Sequence, residues 1–174
     1  GGTLVNGGNC NTLACTKNTD STSENYGMYQ VSWADNGNSV EPESGQLGAL
    51  LELRDGSGEN GEYKGIVYYS DQLDEYAQTL AETFNEGTAS YSGHADGYDS
   101  DGDTGICFFS YEEVNSSTLE SSGYSKVTAA NISLSAEVLD DVSNIATASA
   151  ADESENAEEV QDLIDLLSSD EMFG

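Results

Sequence analysis

The stretch IVYYSDQLDEYAQTLAETFN, residues 66 to 85, decides how the rest of the chain is read. Within it Leu73, Tyr76, Ala77, Leu80 and Phe84 recur at i, i+3, i+4, i+7 and i+11. That is the spacing of one apolar helix face, and it is the strongest periodic signal in the sequence. A helix over Ile66–Asn85 is expected, and its neighbours on either side change character around it.

Just upstream, Leu47, Leu50, Leu51 and Arg54 fall at helical spacing behind Ser44, a residue type that suits a cap. DGSGENGE then breaks the helix with three glycines. The first forty residues read as β: GTLVNG, NTLACTK and YGMYQVSWADNG hold β-branched and aromatic residues between Gly and Asn turn signals. In the third, Met28, Gln30, Ser32 and Ala34 alternate with Tyr29, Val31 and Trp33, the period of a half-buried strand that ends in an Asp-Asn-Gly turn.

Downstream, HADGYDSDGDTG reads as a turn, GICFFSYEEV as a buried strand and Asn115–Ser125 as a Ser-rich loop. NISLSAEV alternates Ile132, Leu134, Ala136 and Val138 against Ser133, Ser135 and Glu137, which predicts an amphipathic strand. A polar linker leads to a last helix with Val160, Leu163, Ile164 and Leu167 on one side. Asn156 and Glu159 have the spacing of a capping box, and Glu155, Glu158 and Glu159 suit the positive end of the helix dipole.

These elements predict an α+β fold, antiparallel sheet packed with two or three helices. The expected organisation is a β-rich segment over 1–43, a helical pair over 44–86, loop and strands over 87–150, and linker with terminal helix over 151–174, together one compact domain. The Leu73/Tyr76/Ala77/Leu80/Phe84 face is expected to pack on the Leu47/Leu50/Leu51 helix and on Leu163, Ile164 and Leu167. Both edges look cut, so the chain reads as the middle of a longer protein.

Thirty-three acids against Lys17, Arg54, Lys64 and Lys126 give a net charge of −29, which repels phosphate backbones and anionic lipid headgroups alike. No nucleic-acid or membrane partner is expected. A salt-loving origin and a heavily hydrated surface both fit this acidity. No apolar run reaches the ~18 residues that mark a membrane span, and no signal segment opens the chain.

Cys10, Cys15 and Cys107 lack a second pair that would complete a tetrahedral zinc site. A short hairpin would let Cys10 face Cys15, and idle thiols are the plainer reading. From Asp99, an EF-type calcium loop finds Asp101 and Asp103 in place but Thr104 where Gly belongs and Ser110 where a bidentate acid belongs. A looser site of Asp99, Asp101 and Asp103 stays open against a turn that satisfies its own backbone. His94 beside Asp96 has the look of an orienting pair, though a lone histidine among glycines reads as solvated. No nucleophile, phosphate-loop or metalloprotease motif is present, so no enzyme activity and no cofactor are expected.

Several stretches, in order, resemble one family. GQLGALLELRD (Gly45–Asp55), YYSDQLDEYAQTLAETFNE (Tyr68–Glu86), GYDSDGDTGICFF (Gly97–Phe109) and NISLSAEVLDDVSNIATAS (Asn131–Ser149) are similar to the flagellar hook-associated protein FlgK family. The opening GGTLVNGGNCNTL and the late NAEEVQDLIDLL also resemble segments of that family. The resemblance implies a structural subunit at the junction between hook and filament, of which this chain is the outward-facing central part without the terminal helical regions. It implies export through the flagellar type III apparatus to the extracellular flagellum. The implied partners are hook protein, the adjacent junction protein, copies of itself, and an export chaperone acting through the absent C-terminal region. Two rival readings are a calcium-stabilised surface or adhesin module, and a cell-wall hydrolase that would need a cleft containing His94.

Overall fold

The computed structural model describes residues 3–21, 23, 25–42, 44–58, 63–111, 123–153 and 156–173. It has the α+β character expected, with three small two-stranded antiparallel sheets and four α-helices among the described residues. The chain divides into two compact units, Gly1–Ser70 and Asp71–Gly174, where one had been expected.

The first unit opens with β1 (Val5–Asn6) and β2 (Asn9–Cys10), a hairpin closed by Gly7 and Gly8. A larger hairpin pairs β3 (Leu13–Lys17) with β4 (Tyr29–Trp33) in register from Leu13 opposite Trp33 to Lys17 opposite Tyr29. The Asp-Asn-Gly turn forms as its sequence predicts, with the Gly37 amide donating to Trp33 O and Ser39 bridging back to Ser32. Helix α1 (Gly45–Asp55) follows. Its closing Arg54 lies where a cation suits the negative helix end. The guanidinium forks onto Asp55 and donates from Nη1 to Tyr29 O at 2.6 Å, tying the helix to β4. Buried residues are scarce in this unit: among those described, Gly48, Gly56, Gly65 and Val67.

Helix α2 (Ile66–Glu86) runs one residue beyond the range read from its periodicity and crosses the border between the units. Its buried face in the second unit overlaps only in part with the one that periodicity selects, sharing Ala77, with Leu80 and Phe84 half-buried. Ala77, Ala81 and Asn85 are enclosed, at i, i+4 and i+8, while Leu73 is 58% and Tyr76 52% exposed. Small side chains let the facing elements approach the helix axis, whereas the larger apolar side chains sit a notch around. The expected packing of Leu73 and Tyr76 is thus corrected, and so is that of Leu47, Leu50, Ile164 and Leu167, all of which are exposed.

Past α2 the chain turns sharply at Gly87, whose φ of +74° and Cβ position 2.4 Å from Tyr91 O admit no side chain. Strand β5 (Phe109–Tyr111) pairs antiparallel with β6 (Ile132–Leu134). Of GICFFSYEEV, residues 105–108 precede the strand and Phe109–Tyr111 form it, while Glu112–Val114, with most of the Ser-rich loop, lie outside the described residues. The predicted strand through Val138 also ends early. Ser135 Oγ accepts the Val138 amide and starts α3 (Ala136–Asp140), so local capping overrides the alternation. Ala77, Ala81, Cys107, Tyr111, Tyr124 and Val127 form the core, with Phe109 and Ile132 against it.

Helix α4 (Glu158–Ser168) buries Glu159, Leu163 and Leu166 and turns Val160, Ile164 and Leu167 outward. The single stripe read from the sequence is thus split between two faces. The capping box does not form: Asn156 Oδ1 accepts the Glu158 amide, while the Asn156 amide donates to Glu153 O. No helix of the described residues is long and apolar enough to cross a membrane.

Candidate functional site

The polar residues that the second unit encloses are its most unusual feature, and they begin with Asn85 at the end of α2. The side-chain amide of Asn85 is fully engaged. Its Oδ1 accepts the Phe108 and Phe109 amides at 2.9 and 3.0 Å. Its Nδ2 donates to Phe109 O at 2.8 Å and to the Tyr124 hydroxyl at 3.2 Å. Tyr124 in turn donates to Glu86 Oε1 at 2.7 Å and meets Cys107 Sγ at 3.9 Å. Burial, and then the bond to Glu86, push the Tyr124 hydroxyl well above the usual phenol range. A buried polar group costs little only when each of its bonds is made, so this network rivets α2 to β5 in one register.

His94 is 1% exposed, contrary to the solvated reading. Nδ1 lies 2.8 Å from Ile106 O, and Nε2 lies 3.0 Å from the Ala146 amide. A carbonyl accepts and an amide donates, so the ring is neutral with its proton on Nδ1. Desolvation lowers its pKa against the raising effect of the Ile106 bond. Both nitrogens are occupied, and the ring sits 5.2 Å from Phe108 rather than serving an Asp96 pair.

Asp99 accepts the Asp101 and Asp103 amides on Oδ1 at 2.9 and 2.8 Å. That is the self-satisfied turn among the readings of this segment. Asp101 and Asp103 are exposed, and no group of three or more His, Cys, Asp or Glu side chains is placed to hold a metal ion among the described residues. Cys10 and Cys15 are exposed free thiols on separate hairpins, and Cys107 is a buried one.

The first unit carries a cleft of about 850 Å³ lined by Val31, Val40, Pro42, Leu51 and Arg54, among others. Arg54 is already committed to Asp55 and Tyr29 there, and His94 is not among the lining residues. In each unit, aliphatic side chains stand open to water. Leu47, Leu50 and Leu53 do so on α1, and Val160, Ile164 and Leu167 on α4. Sequence reasoning singled out Leu47, Leu50, Ile164 and Leu167, though as packing residues, and missed Asn85, Tyr124 and Glu159 as enclosed polar groups, because hydrophobic periodicity is blind to polar side chains that turn inward.

Buried polar rivets and uncovered aliphatic faces are features of a structural module, and the protein is a flagellar structural component of the hook-associated class. The chain belongs to the family of the flagellar hook-associated protein FlgK, whose helical-domain model matches residues 1–109. No curated protein and no solved structure matches it.

Proposed function

We propose that this chain is the outward-facing central part of a subunit that joins hook to filament. It serves there as a structural element without catalytic activity. In this reading the protein leaves the cell through the flagellar type III apparatus and meets hook protein, the adjacent junction protein and further copies of itself. An export chaperone engages the C-terminal region of the intact subunit. The observation that carries the reading is the family match over residues 1–109. The exposed aliphatic rows of α1 and α4 support it, because such rows are the usual means by which helices recruit neighbours.

The test is localisation together with deletion. Gold-labelled antibody raised against this chain should mark the hook–filament boundary of isolated flagella, and deletion of the gene should leave hooks without filaments. Label spread along the filament, or full-length filaments on the deletion strain, would overturn the junction role.

A further inference from the structure

Glu159 lies in the first turn of α4, 1% exposed, with its Oε1 unpartnered among the described residues. Gly97 makes room for it. A Cβ at position 97 would stand 2.5 Å from Glu159 Cγ and 2.9 Å from Ala146 Cβ, so the carboxyl stem fits against the 94–98 loop only because glycine is there. The same loop is fixed on its other side by the His94–Ala146 bond and by the pairing of Tyr98 with Ala148.

Among the described residues, the charges bearing on this carboxyl are both negative, Asp162 on its own helix and Asp96 on the loop. The segment 144–148 brings no charged side chain, and His94 is neutral with both nitrogens bonded. An ionised Glu159 is therefore a buried anion without a counter-charge, held between two others. The neutral acid faces neither penalty.

We propose that Glu159 is a proton-operated latch, fastening α4 to the 94–98 loop when its carboxyl is protonated and loosening the helix when the carboxylate forms. Burial, followed by Asp162 and Asp96, pushes its pKa up to about 7, so the latch works across mildly acidic to neutral pH. The sign follows from linkage. A raised folded pKa makes the contribution fully present below the unfolded value, and it is lost as pH rises through about 7.

The experiment is amide hydrogen exchange of Val160–Leu167 in the 174-residue chain at pH 5.5 and pH 8, corrected for intrinsic exchange, with the Glu159 carboxyl carbon shift followed by NMR. Protection of α4 should fall on the order of thirtyfold between the two conditions, since each pH unit below the raised pKa is a factor of ten and pH 5.5 lies about one and a half units below it. Glu159→Gln should keep α4 protected at both pH values, and Gly97→Ala should expose it at both. A carboxyl midpoint in the ordinary glutamate range, or a loss of α4 protection toward pH 8 that survives Glu159→Gln, would overturn the latch.

Discussion

His94 is held through both ring nitrogens, and that geometry commits it to one protonation state. A proton on Nε2 would point at the Ala146 amide, donor against donor. Its folded pKa is lowered, so its contribution to stability is complete above the unfolded value near 6.5 and is lost as pH falls below it. The effect runs opposite to that of Glu159, so the clean measurement uses the Glu159→Gln background. There the urea midpoint should drop as pH is lowered from 7.5 to 5.5, and His94→Gln should flatten that slope. A slope unchanged by His94→Gln would sink the assignment. None of this was visible in the sequence, because a histidine between glycines carries no mark of the carbonyl and amide that the fold delivers to it. The Asp99 turn was half legible: its failed calcium register was apparent, but not which backbone amides the carboxylate would take.

At the scale of the element, α4 separates energetic from surface residues with adjacent side chains. Leu166 is fully enclosed and Ile164 is 51% exposed. Leu166→Ala should cost about 2–5 kcal/mol in an equilibrium unfolding series, the range for truncation in a core, whereas Ile164→Ser should stay within about 0.5 kcal/mol. Equal effects at the two positions would mean that the inner face is misassigned. The same contrast shows how far periodicity could be followed. It located α2 to within one residue because a long helix repeats its signal over several turns. It placed the centre of the contact face too far toward Leu73 and Tyr76, because Ala81 and Asn85, which are enclosed beside Ala77, carry little hydrophobic weight. It lengthened β6 into α3 because Ser-Ala-Glu-Val alternates like a strand and caps like a helix. Three residues of true alternation could not decide between them.

Over the whole molecule the charge is unevenly spread. Asp71–Gly174 holds 24 of the 33 acids with Lys126 as its single lysine and no arginine, so the second unit folds against most of the self-repulsion. Adding monovalent salt screens such repulsion, with a Debye length of about 10 Å at 0.1 M shrinking to about 3 Å at 1 M. Thermal unfolding should therefore shift to higher temperature between 0.05 and 1 M potassium chloride, by at least several degrees for a domain of this size (a change of ~2 kcal/mol). A flat or falling transition temperature would show that acidic repulsion does not limit stability. The family match ends at residue 109, yet the core continues beyond it through Tyr111, Tyr124, Val127 and Leu166.

Near the end of the described chain, Glu171 accepts from the hydroxyls of Thr88 and Ser90, both at 2.9 Å, and Met172 beside it is buried. The Thr88 contact spans 83 positions. During synthesis, α2 emerges from the ribosome long before the residues that finish its surroundings, and the wide loop between them must be closed at an entropic cost that grows with its length. The two hairpins of the first unit need only local contacts and can form at once. In the second unit, the contacts that Glu171 and Met172 complete form only after those residues have emerged.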